Sequence, residues 1–350
     1  MRPFFNELKE GNQIFINPLP GESHLDLALK KGLNKKSRIY IWGRKYFEEV
    51  EQYTKEYDLE LFRVEDGFIR SVGLGSDLTQ PYSQVIDSRG IYFDPTQESD
   101  LEFILQNYDF AADNKLLEQA KIVRTYLIEK KLSKYNLYDE VTLNFPTDKR
   151  IIVVPGQVED DASICYGARG MDNLTLLKEV REGHSEEYIV FKPHPDVLAG
   201  NRVGHIKESE ALKYCDEIIT EVSLDSVLMY ADEVHTMTSL VGFEALMRGI
   251  EVYTYGIPFY AGWGLSTDKQ TCKRRTRELD LDELVAGALL LYPRYLDPKS
   301  RKLCTAEILL EALEAERQRY LLSKYYRISI KVRNFISRKS QLLISFIKSF

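Results

Sequence analysis

The chain is poor in the features that assign a function quickly, and each absence removes a class. Four cysteines occur in 350 residues, Cys165, Cys215, Cys272 and Cys304, far apart and with no CxxC pair. That excludes a disulfide framework or a cysteine zinc site and fits free thiols in a reducing compartment. No stretch approaches the roughly 20 consecutive apolar residues of a membrane span. The opening Met1-Arg2-Pro3-Phe4-Phe5-Asn6-Glu7 has no apolar core of a secretory signal, so a cytoplasmic location is expected. Gly73-Leu74-Gly75-Ser76 is glycine-rich but lacks the Gly-Lys-Ser/Thr of a P-loop, and no dinucleotide-binding fingerprint is found. Internal repeats and low-complexity tracts are absent too.

What remains is an ordinary globular composition, 44% hydrophobic, with 22 Tyr and 16 Phe to build large cores or stack on sugars and bases. The net charge of -7 is unevenly placed. Residues 321–350 carry seven Lys/Arg and no Asp or Glu, which leaves -14 on residues 1–320. An acidic body argues against a nucleic-acid partner. In the tail, Ile328, Val332, Phe335, Ile336, Leu343, Phe346, Ile347 and Phe350 recur at helical spacing among the basic residues. That pattern reads as an interfacial helix on an anionic membrane surface. A helix packed on the body or on a second subunit has the same pattern.

The length favours two domains. Residues 13–17, 38–42 and 59–64 read as the first three strands, with helical stretches at 25–31 and 46–56. Residues 82–94 read as a strand pair around Ser88-Arg89-Gly90. Asn114–Lys131 is predicted as a long helix with Leu117, Ala120, Ile122, Val123, Tyr126 and Leu127 on one broad face. The polar segment 133–149 reads as the crossing between domains. The predicted divisions are 1–140, a Rossmann-like domain; 141–295, a second Rossmann-like domain; 296–325, C-terminal helices; and 326–350, the basic amphipathic tail. The expected fold class is α/β and GT-B-like, two Rossmann-like domains facing a cleft.

The chemistry concentrates where apolar runs end. Ile151-Ile152-Val153-Val154 leads into Pro155-Gly156-Gln157-Val158-Glu159-Asp160-Asp161. Tyr188-Ile189-Val190-Phe191 leads into Lys192-Pro193-His194-Pro195-Asp196. Glu233 to Met237 leads into Thr238-Ser239 and a helix from about Gly242 to Met247. Short β-branched runs read as buried parallel strands, and ligands in such sheets bind beyond the carboxyl ends. His194 is then placed to donate to a phosphate. Thr238 and Ser239 at a helix start suit an anion, and Glu244 in the first turns suits ribose hydroxyls. Leu279-Asp280-Leu281-Asp282-Glu283 contains a DxD triplet that could hold a metal, but Asp280 with Glu283 also fits a helix capping box, which is the preferred reading. A departing nucleotide monophosphate gains one negative charge. A helix N-terminus contributes up to about 2 kcal/mol and a charge-assisted hydrogen bond roughly as much, so neither a metal nor a cofactor is expected.

The Gly156 to Asp161, Lys192 to Val197, Thr238 to Leu246 and Pro258-Phe259-Tyr260-Ala261-Gly262-Trp263-Gly264 motifs closely resemble the capsule polysaccharide biosynthesis proteins of Gram-negative bacteria. So does Val64-Glu65-Asp66-Gly67-Phe68-Ile69-Arg70-Ser71 with the Gly73 to Ser76 segment. Together they cover residues 38 to 295 in order. The resemblance implies a retaining β-Kdo transferase that moves Kdo from CMP-β-Kdo to a Kdo-terminated lyso-phosphatidylglycerol glycolipid at the inner membrane, with other capsule enzymes as possible partners. It makes the second domain the CMP-sugar side and the first the acceptor side. It places the nucleophile at Asp161, with Asp160 as rival, CMP phosphate on His194, and CMP also on Ser239 and its loop, which includes Thr238 and Gly242. Gln157 would supply donors to Asp161, and Pro195 belongs to the His-Pro loop. Glu65, or Asp66 beside it, would serve the acceptor. Lys192, Arg44 and Arg70 are candidate cations for the Kdo carboxylate. Known members carry two such modules; this chain has room for one. Two other readings stay open, an inverting sialyltransferase-like CMP-sugar enzyme and a non-catalytic capsule-assembly protein.

Overall fold

The structure is a computed structural model and describes Phe4 and residues 13–73, 79–134, 141–198, 200, 202–330 and 332. Its strands are β1 (Ile39–Trp42), β2 (Leu61–Asp66), β3 (Ser83–Asp87), β4 (Ile151–Pro155), β5 (Tyr188–Lys192), β6 (Glu217–Ile218), β7 (Glu233–Thr236), β8 (Glu251–Thr254), β9 (Thr267–Asp268), β10 (Pro293–Leu296) and β11 (Leu303–Cys304). The chain forms two compact units, one of residues 1–91 with 293–350 and one of residues 92–292. These divisions fall after Ile91 and Tyr292, whereas the sequence reading divides after 140 and 295.

The second unit holds six parallel strands in the order β6-β5-β4-β7-β8-β9. Numbered within the sheet this is 3-2-1-4-5-6, the Rossmann order. β4 is buried along its whole length and β5 over its centre, as expected for strands with helices on both faces. Ile152, Val154, Ile189 and Phe191 pack with Leu176, Leu177 and Val180 of the helix Asn173–Gly183. The strand order reverses between β4 and β7, so a crevice belongs at their carboxyl ends.

The first unit holds a mixed sheet, β1-β2-β3-β10-β11. It opens as a parallel β–α–β unit through the helix Glu48–Glu56 and continues antiparallel. Phe4, Val64 and Leu296 form its buried centre, with Tyr40, Trp42 and Ile86 against them.

Several local expectations differ from the structure. Residues 13–17 form no strand, and Ile14 and Phe15 are exposed; among the described residues no strand pairs with the run to make a ladder. Only Ser83–Asp87 of the expected 82–94 pair is a strand, because β3 pairs with β2 and β10 instead of folding back. The Asp87 carboxylate accepts from the N–H groups of Arg89 and Gly90 and turns the chain there. The helix Asn114–Glu129 forms, but its buried stripe is Leu116, Ala120, Val123 and Leu127, while Ile122 faces out. Asp280 and Glu283 make the reciprocal capping box of the helix Leu281–Val285, and Asp282 pairs with Arg124 at 2.9 Å. The DxD carboxylates are thus occupied in structure. The segment Leu74 to Ser76 and nearly all of the 326–350 tail beyond Ile330 lie outside the described residues.

Candidate active site

Gln157 follows β4 and spans the reversal point. Its backbone N–H donates to Asn173 Oδ1 and its carbonyl accepts from Asn173 Nδ2, both at 2.8 Å. Its side-chain Nε2 donates to Thr238 Oγ1 at 3.0 Å, and its Oε1 accepts from the Thr238 N–H at 3.0 Å and Thr236 Oγ1 at 3.2 Å. The buried amide therefore ties the loop after β4 to the loop after β7. These bonds aim it at β7, and the carboxylate of Asp161 takes its donors elsewhere. Asn173, which sequence reasoning missed, fixes the same loop and also donates to the Gly204 carbonyl at 3.1 Å. Gly156 lets the loops after β4 and β5 touch: a Cβ there would stand 3.1 Å from the Phe191 ring and the Pro193 backbone.

Asp161 is the N-cap of the helix Ala162–Gly167. Its Oδ1 accepts from the Ser163 N–H at 3.0 Å and the Ser163 hydroxyl at 2.9 Å. The side chain is half exposed, and its other oxygen lies 4.0 Å from Arg202. Capping orients one oxygen and leaves the second presented outward. Asp160 is instead paired with Arg202 at 3.2 Å. Arg202 had no signal in the sequence, since it sits in an irregular loop beyond the His-Pro motif. The loop returns because the Glu159 N–H donates to the Val203 carbonyl at 3.1 Å.

His194 lies at the end of β5, the strand beside β4. Its Nδ1 accepts from the Asp196 N–H at 3.1 Å, so the neutral ring carries its proton on Nε2. Burial holds the imidazole below its ordinary pKa of 6.5; the charges of Asp196 and Asp161 push upward, those of Lys134 and Arg202 downward. The ring is a neutral donor at neutral pH, within the fields of Asp161, Arg202 and Lys134. Pro195 starts the short helix Pro195–Leu198, where a missing N–H loses nothing. Lys192 is mostly buried and donates to the Val222 carbonyl at 2.8 Å, and burial draws its ammonium down to about 8.

The loop after β7 completes the group. Ser239 is the N-cap of the helix Leu240–Met247, its hydroxyl accepting from the Val241 N–H at 3.2 Å. The hydroxyl proton is left for another acceptor. Gly242 makes room for Tyr260: a Cβ would come 2.2 Å from the Tyr260 hydroxyl, which donates to the Ser239 carbonyl at 2.6 Å. Glycine here is required by packing. Glu244 is buried, with Oε1 accepting from the Lys134 N–H at 3.4 Å and Oε2 without a hydrogen-bond partner among the described residues. Burial raises its carboxyl to about 7, against the pull of Arg248 and Lys134. A buried carboxylate oxygen with no donor is costly and marks a place for a ligand donor.

In the first unit, Glu65 and Asp66 are consecutive in β2 and so point to opposite faces of the sheet. Glu65 lies against the turn after β1: a Cβ on Gly43, before Arg44, would stand 3.2 Å from its Oε2. Asp66 pairs with buried Arg70 at 2.6 Å, and Arg70 also donates to Ser71 Oγ at 3.0 Å. Gln84 is the cross-strand partner of Asp66, and sequence reasoning missed it. Both polar atoms of its side chain and Asp66 Oδ1 are buried without a hydrogen-bond partner among the described residues.

A sequence profile described as "Capsule polysaccharide biosynthesis protein" matches residues 38–295. The chain belongs to that family. Within this capsule polysaccharide biosynthesis family, the capsule polysaccharide modification protein LipA of Neisseria meningitidis serogroup A is 48% identical over 276 residues, 79% of this chain and 39% of LipA. The lipopolysaccharide-processing protein LpsZ of Rhizobium meliloti is 41% identical over 258 residues, 73% of this chain and 59% of LpsZ. The chain thus spans less than two thirds of these relatives. Among solved structures, the β-Kdo 2,7 transferase of Thermosulfurimonas dismutans KpsC is 41% identical with a TM-score of 0.70, covering 90% of this chain and 95% of that one. The KpsC β-Kdo 2,4 transferase is 33% identical with a TM-score of 0.71, covering 79% and 86%. The α/β, GT-B-like architecture of this family member follows from those likenesses and its Rossmann-ordered sheet.

Proposed function

We propose that the chain is a retaining β-Kdo glycosyltransferase that uses CMP-β-Kdo and a Kdo-terminated glycolipid acceptor in capsule polysaccharide assembly. The observation that carries this is the likeness to a KpsC Kdo transferase along nearly the whole of both chains. The loops after β4, β5 and β7 support it, since they gather a carboxylate, a neutral imidazole and a helix-capping hydroxyl at one end of one sheet. The higher identity and coverage of the 2,7 enzyme favour a β-(2→7) linkage over a β-(2→4) linkage.

In this reading CMP lies across the reversal point. The phosphate takes the His194 Nε2–H, the Ser239 hydroxyl and the N-terminus of the helix Leu240–Met247. The unpartnered oxygen of Glu244 accepts from the ribose hydroxyls. Asp161 Oδ2 attacks the anomeric carbon as its bond to the CMP phosphate oxygen breaks, and the electron pair leaves with CMP. An acceptor hydroxyl then displaces Asp161 and releases its proton to solvent; within the first unit, Glu65 is the residue proposed to serve the acceptor. Two inversions give retention. The cap bonds to Oδ1 aim the nucleophile, and Arg202 stands 4.0 Å from its other oxygen. Lys192 is the cation of the second unit assigned to the Kdo carboxylate.

Membrane attachment belongs to the same proposal. No helix among the described residues is long and apolar enough to cross a membrane. Leu322, Tyr325, Ile328 and Val332 are exposed at helical spacing near Lys324 and Arg327, which suits contact with an anionic leaflet. The test is incubation of the purified chain with CMP-Kdo and a Kdo-terminated acceptor, with the product linkage read by NMR. A β-(2→7) product is expected; an α-anomer would point to an inverting enzyme, and no CMP-Kdo turnover or binding to a non-catalytic assembly protein.

A further inference from the structure

Glu233 and His235 are the first and third residues of β7, so both leave one face of the sheet. His184, the C-cap residue of the helix Asn173–Gly183, comes down on them. The His184 and His235 rings meet edge to face with centroids 4.9 Å apart, and one ligand atom from each of the three residues lies within 4.8 Å of the other two. Among the described residues this is the one grouping of three metal-type ligands. We propose that His184, Glu233 and His235 form a divalent transition-metal site of the zinc type at the base of the second sheet.

The residues behind the three ligands are those such a site needs. His235 Nε2 lies 2.9 Å from Glu233 Oε2, and its Nδ1 lies 3.1 Å from the Tyr255 hydroxyl. Tyr253 stacks on the ring at 4.4 Å, so its plane is fixed. Arg150 grips the other Glu233 oxygen at 2.9 Å, leaving Oε2 aimed at the histidines. Partners of this kind on the far side of each ligand orient metal sites generally. Burial drives His235 down to about 4, so the ring is neutral at physiological pH. When the ion takes His235 Nε2, the ring proton passes to Nδ1 and is accepted by the Tyr255 oxygen, so no charge is stranded. His184 is the outermost of the three, 22% exposed, and gives the entry path. The carbonyl end of its helix adds negative potential there. Two imidazoles and a carboxylate leave a fourth position for water, the ligand set of a tetrahedral zinc-type ion. The ion would pin the helix to β7 and is no part of the transfer chemistry.

The test uses the untagged full chain stripped of metal with a chelator. Titration with Co²⁺ is expected to give saturable d–d absorption at one equivalent, displaced by Zn²⁺, and excess Zn²⁺ is expected to raise the melting temperature. His184→Ala, at a partly exposed cap position, is expected to keep the fold by circular dichroism, to weaken binding at least about tenfold and to abolish the Zn²⁺ stabilisation. Absence of saturable Co²⁺ absorption in the native chain overturns the proposal, as does absorption unchanged in His184→Ala.

Discussion

Replacing Glu244 by Gln is expected to stabilise the protein at alkaline pH while weakening CMP binding. The carboxyl is buried and its ionisation is raised from the ordinary 4.5 to about 7. A carboxyl whose folded pKa exceeds its unfolded one favours the fold when protonated. Its contribution is therefore fully present below pH 4.5 and lost as pH rises through 7. The interval corresponds to about 3 kcal/mol at pH 8 and about 1 kcal/mol at pH 5. Gln keeps the acceptor for the Lys134 N–H and carries no charge, so it removes this penalty without changing shape. For a unit of about 200 residues, 3 kcal/mol corresponds to a melting shift of about 6–12 °C at pH 8, falling to a third or less at pH 5. The assay is thermal unfolding of both proteins across this range, with and without CMP. At pH 8 CMP is expected to stabilise the native chain more than the variant, because ribose hydroxyls give the orphan oxygen its donors. Equal melting temperatures at pH 8 would refute the buried-carboxylate argument. Equal CMP shifts would refute its assignment to the nucleotide.

Other perturbations separate structure from chemistry. Asp161→Asn keeps a cap acceptor for the Ser163 N–H and is expected to melt within about 1 kcal/mol of the native chain, yet to lose transfer by a factor on the order of 10³ or more. Gln157→Ala leaves the Thr236 hydroxyl and the Thr238 N–H without their partner and is expected to lose about 2–4 kcal/mol in urea unfolding. His194→Ala is expected to lower kcat about 10²-fold. In the native enzyme the acid limb assigned to His194 falls below pH 6.5, in the direction burial moves it, and it is absent in the variant. Removal of residues 321–350 is expected to release the protein from vesicles containing anionic lipid while CMP binding persists.

The sequence made the second sheet legible because β4 and β5 are short apolar runs that each give way to a charged loop, and β7 gives way to the hydroxyls of Thr238 and Ser239 at a helix start. β4, β5 and β7 fall within a residue or two of their expected places, and the loops after them hold Asp161, His194 and Ser239. What it concealed depends on long-range pairing. The run at 13–17 has the composition of a strand but no neighbour, whereas the two-residue β6, β9 and β11 have neighbours and almost no composition. The roles of single residues were harder still. Gln157 sits in a motif that suggests chemistry, yet both ends of its amide are held by β7 and its loop, a contact across about 80 positions of sequence. Gly242 lies at a helix start that suits a ligand, and its small size answers to Tyr260. Arg202, Asn173 and Gln84 lack any local signal, because their importance arises only when distant loops or strands meet.

The account rests on a carboxylate of the loop after β4 forming a bond to the donor sugar. Mixing the purified chain with CMP-Kdo without acceptor, quenching in acid and mapping peptides by mass spectrometry tests this directly. A Kdo adduct on Asp161, absent in Asp161→Asn and discharged by acceptor, is the expected result. Acceptor-dependent turnover that proceeds normally in Asp161→Asn, or an adduct on Asp160 instead, would contradict it.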